Sequence, residues 1–205
     1  MTAPRLSALV VARNEEARLA ACLDTLRFAD ELIVVLDRST DRSAEIARAA
    51  GARVIEGAWV LEGERRNAGL DACAGDWVLE VDADEHIPAS LGAEIRSVIA
   101  TSPHAWHEIP VDNFIGERLV RYGWGGSFGT SAVPRLSRKG AKRWGMQRVH
   151  PSLTWTGSKG PRLAHAIQHY VDRDISDVLR RLDRYSSAKA SDLLASGEIG
   201  TLAGN

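Results

Sequence analysis

Several things are missing or scarce in this chain of 205 residues. It has no run of about 18 apolar residues, so nothing in it reads as a membrane-spanning helix. The apolar stretch Leu6–Ala12 is broken at once by Arg13-Asn14-Glu15-Glu16 and is too short for the core of a secretion signal with its flanks. Cysteine occurs twice, at Cys22 and Cys73, in helix-like segments. That is neither a metal-ligand spacing nor a disulfide framework, and it points to a reducing, cytoplasmic setting. No Gly-x-Gly-x-x-Gly follows the first strand, which disfavours a dinucleotide oxidoreductase. No linker, internal repeat or low-complexity segment appears, so residues 1–205 are expected to form one domain, and 44% hydrophobic residues are enough for its core.

The other absence is local. Residues 118–171 hold ten Lys/Arg and no Asp or Glu, whereas residues 1–117 hold 11 Lys/Arg and 21 Asp/Glu. The net charge of −1 therefore conceals a basic block facing an acidic one. Such a block fits a surface that meets an anion, or equally a basic face paired with the acidic half of the same chain. No nucleic-acid partner is expected.

What is present begins with alternation. Leu6–Ala12 reads as a buried strand, Asn14 as the N-cap of a helix running to about Arg27, and Glu31–Asp37 as a second strand. Arg38–Asp41 makes a turn into a helix over about 43–50, and Arg53–Glu56 reads as a third strand. A helix over 62–74 leads to a fourth strand entering Asp82, and a helix over 91–100 with Ser90 as its cap follows. Strand and helix alternating four times predict an α/β fold, with a mostly parallel sheet and helices on both faces. Beyond Pro103, strands are expected over 106–115 and 132–137, with a turn at Lys139-Gly140. A glycine-rich loop is expected at 123–129, an irregular tryptophan-rich stretch at 144–156, and a long helix over 175–196. That helix is capped by Asp174 and carries Val178, Leu182, Tyr185 and Lys189 along one face.

Three of the predicted strands end in acid-bearing turns. The first reaches Arg13-Asn14-Glu15, the second Asp37-Arg38-Ser39-Thr40-Asp41, and the fourth Asp82-Ala83-Asp84-Glu85. Open α/β sheets bind ligands at the C-terminal ends of their strands. Two carboxylates one residue apart can share a divalent cation whose remaining positions go to water and phosphate. A solvated acidic turn is the plain alternative for an isolated Asp-x-Asp.

These segments, with Glu64-Arg65-Arg66-Asn67-Ala68-Gly69, resemble in order and spacing the nucleotide-binding half of inverting family-two glycosyltransferases of GT-A fold. Arg135–Trp144, Arg148-Val149-His150, His169-Tyr170 and Arg184-Tyr185 resemble the branch that glycosylates the inner core of bacterial lipopolysaccharide. The resemblance covers about residues 6–195. It implies a nucleoside-diphosphate sugar donor, most simply a UDP-hexose, and Mg²⁺ or Mn²⁺. Ala12, Asn14, Glu15, Asp37, Arg66 and Asn67 would line the nucleoside, with Arg13, Ser39 and Ala83 in the same turns. Asp82 would reach the ribose or a metal-bound water, and Asp84 the metal. About residues 1–102 would form the donor half and 103–205 the acceptor half.

There are two departures from that branch. Val149-His150-Pro151 stands where Val-His-Glu is common, so the acid that would deprotonate the acceptor is missing there. The chain also ends soon after the long helix, where longer members carry a basic amphipathic tail, so peripheral contact with the inner membrane face is expected rather than firm attachment. Base candidates are then Asp112, Glu117, Glu85 and His150, with Asp112 and His150 foremost. The basic block suggests an anionic glycan or lipid-linked acceptor oriented by Arg138, Lys139, Lys142 and Arg143, with Trp144 as a stacking surface and Glu85 nearby. Gly125-Gly126-Ser127-Phe128-Gly129 matches a nucleophile-elbow pattern. It lacks the preceding strand and the later acid, and is not one. A non-catalytic nucleotide-sugar or glycan-binding module is the rival reading.

Overall fold

The computed structural model describes residues 3–120, 131–147 and 151–172, and helical positions 176, 177, 179, 180, 182, 183, 186, 187 and 190. The glycine-rich loop at 123–129, Arg148, His150, Asp174, Val178, Tyr185 and Lys189 lie outside the described residues.

In chain order the elements are β1 (Leu6–Ala12), α1 (Leu19–Asp24), β2 (Glu31–Asp37), α2 (Ser43–Ala49), β3 (Arg53–Gly57), α3 (Glu62–Ala72) and β4 (Trp77–Asp82). There follow β5 (Glu85–His86), α4 (Ala89–Thr101), β6 (Trp106–Ile115), β7 (Arg118–Leu119) and β8 (Ala132–Arg138). The last are β9 (Lys142–Trp144), β10 (Leu153–Trp155) and β11 (Ile167–Asp172). The main sheet runs β3-β2-β1-β4-β8-β6-β11-β5, with β7 on β6. β3, β2, β1 and β4 are mutually parallel, and β8 enters antiparallel between β4 and β6. This is the mixed α/β arrangement of the GT-A fold.

Strand pleating sorts the core into two layers. Leu6, Ala8, Val10, Val34, Leu36, Trp77, Leu79 and Val81 face α1, α2 and α4, where they meet Leu19, Leu23, Ala47, Leu91 and Ile95. Leu9, Ile33, Val35 and Val78 face Leu70 of α3. By the same alternation Asp37, Glu80 and Asp82 lie on the α3 face.

Some expected boundaries shift, for local reasons. Asn14 does not cap α1; it sits at φ 55°, and its Oδ1 accepts from the Thr40 N–H at 2.8 Å. α1 is regular only over Leu19–Asp24, after turns in which the Glu15 carbonyl accepts from the Arg18 and Leu19 N–H groups. α4 starts at Ala89, two residues before the expected Leu91, with Pro88 in extended conformation (φ −59°, ψ 151°) at its N-cap, so Ser90 lies inside the first turn. The stretch 144–156 is not wholly irregular: β10 pairs antiparallel with β9.

Candidate active site

The polar turns after β1 and β2 are tied into one unit. The Asn14 N–H donates to Ser39 Oγ (3.1 Å), Glu15 N–H to Ser43 Oγ (3.0 Å) and Glu16 N–H to Asp41 Oδ2 (2.9 Å). Ala12 is buried at the strand end and Arg13 exposed beyond it. Asp37, 2% exposed, accepts from Arg38 (2.9 and 2.8 Å), the Trp59 N–H (3.2 Å) and Arg65 (3.3 Å). Burial pushes its carboxyl up, and the hydrogen bonds from Arg38 and Trp59 outweigh that and hold it below the ordinary value.

Asp82 ends β4 on the α3 face. Arg66, on α3 with its side chain largely buried, reaches Asp82 Oδ1 at 3.4 Å and is itself braced by Glu62 at 2.8 Å. Arg135, from β8, binds Asp82 Oδ2 and, at 2.7 Å, Glu85 Oε1. Burial opposes ionisation of Asp82, but Arg135 and Arg66 hold its carboxyl far below the usual range. Glu85 is buried, accepts from the Asp82 N–H at 2.9 Å and has its carboxyl pushed up by burial. It braces the turn and is closed to an acceptor.

Asp84 lies beyond, in the turn between β4 and β5, after buried Ala83. Its Oδ2 stands 3.5 Å from Arg18 Nη1 and 3.4 Å from His169 Nε2. His169 Nδ1 is 2.9 Å from Asn113 Oδ1, so Nδ1 carries a proton and Nε2 is turned to Asp84. Burial works against a charge on His169, and Asp84 outweighs it, raising the imidazole above its ordinary value. An imidazole oriented by an amide oxygen through one nitrogen and facing a carboxylate with the other is a usual metal-ligand pair. Mg²⁺ needs few protein ligands, so Asp84 with His169 fits a divalent cation. Asp82 fits less directly, because both of its oxygens already meet guanidiniums. Among the described residues no cluster of three His, Cys, Asp or Glu is in place to hold a metal.

Other expected site residues are engaged elsewhere. Asn67 is buried and clamps the Trp144 backbone, donating from Nδ2 to its carbonyl (2.8 Å) and accepting from its N–H (3.0 Å), so its amide is turned to the chain rather than to a nucleoside. Lys142 is buried and paired with Glu80, and Trp144 Nε1 donates to Glu80 at 3.1 Å. Arg143 pairs with Asp71 at 2.7 Å. Arg138 donates to the carbonyls of Ser102 (2.7 Å) and His104 (3.0 Å), and Lys139 to that of Cys73. Arg138 sits opposite Trp77 in the sheet, five residues and about 17 Å of strand from Asp82. The basic residues expected to orient an anionic acceptor thus serve the chain itself. Pairing with the acidic half accounts for Arg135, Lys142, Arg143, Lys159 and Arg162.

Asp112 pairs in register with Gln168 and shares the β6 face of Phe114, whose ring stacks on Tyr170 (centroids 5.2 Å). Its neighbour Asn113 points the other way, to His169. Arg18, Arg135 and His169 were not given roles from sequence. The ladder, which brings β8 and β11 beside β4 and β5, reveals Arg135 and His169, and the turn before α1 brings Arg18 to Asp84.

A mixed sheet of this order, with acids and guanidiniums gathered at three adjacent parallel strand ends, is a GT-A-type scaffold. Residues 7–116 match the family described as glycosyl transferase family 2, and the chain belongs to that family. It is similar to the lipopolysaccharide core biosynthesis glycosyltransferase LpsC of Rhizobium meliloti, 25% identical over 206 residues, covering 94% of this chain and 73% of that one. An uncharacterized glycosyltransferase of Rickettsia typhi is 36% identical over 98 residues, covering 47% of this chain, which spans 34% of that relative's length. Staphylococcus aureus TarS 1-349 shares the fold, with TM-score 0.58 and 15% identity, over 81% of this chain and 60% of that one. No described helix is long and apolar enough to cross a membrane.

Proposed function

We propose that the chain is a metal-dependent inverting glycosyltransferase working as one domain. It moves a sugar, most simply hexose from a UDP-hexose, to a hydroxyl of a cell-envelope glycan or lipid-linked glycan at the inner membrane face. The observation that carries the reading is the meeting of Asp84 and His169 beside the Asp82–Arg66–Arg135 cluster. Asp84 and His169 would hold Mg²⁺ or Mn²⁺, which supplies charge neutralisation for the departing diphosphate. Ala12, Arg13, Asn14, Glu15, Ser39 and Asp37 form the turns against which the nucleoside lies, and Arg66 adds a cation at the diphosphate end. Asp82, held ionised, positions both guanidiniums. The acceptor oxygen attacks the anomeric carbon as the bond to the diphosphate breaks, and its proton passes to a base. Asp112, on the face that carries Phe114 and Tyr170, and His150 are the two candidates for that base.

Asp84→Asn tests the reading. Calorimetry should show Mn²⁺-dependent UDP binding in the parent and its loss in the variant, with the melting temperature held. UDP affinity that ignores both Mn²⁺ and the substitution would refute it.

A further inference from the structure

Gly63, Arg66 and Asn67 stand at i, i+3 and i+4 on α3, so they share one stripe of the helix. All three meet the end of β9. A Cβ on Gly63 would run into the Gly145 carbonyl oxygen, so glycine lets the strand end approach the helix this closely. Asn67 holds the Trp144 N–H and carbonyl. The Arg66 guanidinium lies over the Trp144 ring, its central carbon 4.7 Å from the ring centroid. Glu80 fixes the ring itself, accepting from Nε1 at 3.1 Å. The indole is thus pinned at its backbone and at its nitrogen, and the guanidinium rests on it. The other contacts of Arg66 fix it less fully. Its Nε donates to Glu62 at 2.8 Å, which holds the stem. Nη1 and Nη2 both reach the same Asp82 oxygen, each at 3.4 Å, beyond the usual range of roughly 2.7–3.2 Å. The second Asp82 oxygen is taken by Arg135. Asp82 therefore does not lock the guanidinium in a two-oxygen fork, and the η N–H groups keep room for another acceptor.

We infer, resting on the function proposed above, that Trp144 is a positioning residue for the donor: it holds the Arg66 guanidinium in plane for the diphosphate and touches no substrate itself. Phosphate oxygens take two parallel N–H bonds from a guanidinium, and that match depends on the plane in which the guanidinium is held. A flat ring against its face fixes the plane without using any of its donors. A guanidinium already in place loses less freedom when the diphosphate arrives. A cation–π contact is worth roughly two- to thirtyfold in an equilibrium constant, from exposed to desolvated settings. The Arg66 side chain is 13% exposed, so its contact belongs toward the desolvated end. The ring that the sequence offers to an acceptor sugar already has occupants, since Lys142 Nζ lies 4.8 Å from its centroid as well.

The experiment is calorimetry of UDP on the full chain with Mn²⁺. Trp144→Leu should weaken UDP binding about fivefold or more. In an Arg66→Gln background the same change should cost less than about twofold, because the group it positions is gone. A ring that only supported the fold would carry its penalty undiminished into that background. Tetrafluorotryptophan at position 144 keeps the shape and the Nε1–H but strips the ring face of its negative potential. It should weaken UDP about threefold or more, and it answers the question even where the leucine variant does not fold. Parent-like UDP affinity in a folded Trp144→Leu chain, an undiminished penalty in the Arg66→Gln background, or unaltered affinity in the tetrafluoro chain would overturn the assignment. Absence of Mn²⁺-dependent UDP binding in the parent would instead refute the underlying function.

Discussion

Lys142→Met separates a structural lysine from an acceptor-binding one. Lys142 and Glu80 are each only 2% exposed at the side chain, so the pair is shielded from salt and water. Lys142 Nζ also lies 4.8 Å from the Trp144 ring centroid and 5.5 Å from that of Trp155. Methionine keeps the length and the contact with aromatic rings, but strands the Glu80 carboxylate. Removing one partner of a buried pair costs about 3–5 kcal/mol. At roughly 2–4 °C per kcal/mol for a chain of this size, the melting temperature should fall by about 6–20 °C. Glu80→Gln added to Lys142→Met removes the stranded charge while keeping an acceptor for Trp144 Nε1, and should recover at least half of the loss. Thermal unfolding followed by circular dichroism reads both. A single variant melting within about 2 °C of the parent, or a double variant no better than the single, would refute the account.

Arg138→Ala with Lys139→Ala removes hydrogen bonds to three carbonyls. It should cost about 1–3 kcal/mol in thermal unfolding while leaving UDP and sugar binding unchanged; a selective loss of sugar binding would restore them to the acceptor. Asn113→Ala frees the His169 ring, and Mn²⁺ affinity measured by electron paramagnetic resonance should drop about 10–100-fold. The Asp37 carboxyl titrates below its unfolded value of about 3.9, so its stabilisation is complete above about pH 4 and lost as pH falls through the depressed folded value. Asp37→Asn should therefore be less stable at pH 7 and show a flatter acid limb in urea unfolding; an unchanged limb would contradict this.

The first hundred residues were legible because their signals are local. β1, β2, β4 and α2 show as apolar runs and stripes closed by turn residues, and pleating alone places Asp37 and Asp82 on one face. Asp84 was visible as an acid past a strand end. The second half was less legible because its order in space is not its order in sequence: β8 and β11 enter the sheet out of turn, and with them come Arg135 and His169. Composition left two readings of the acid-free block equal, a surface for an anion or a face paired with the acidic half. Lys142 and Arg135, which point inward to Glu80, Asp82 and Glu85, favour the second. Asn14 and Asn67 look like ligand groups by type, yet their amides find backbone partners in Thr40 and Trp144. Nothing in a one-dimensional pattern distinguishes the two uses.

The insertion of β8 bears on how such chains can be cut or recombined. β8 hydrogen-bonds along Trp77–Leu79 of β4 and alone carries Arg135 to Asp82 and Glu85. The family-matching segment, 7–116, stops before it. A fragment ending there would expose the flank of β4 as an unpaired edge, an invitation to strand-swapped aggregates. It would also leave two neighbouring carboxylates without their shared counterion. The recurring sequence block and the smallest cooperative folding unit are therefore different objects in this protein, and a graft of the former needs a surrogate for residues 132–138.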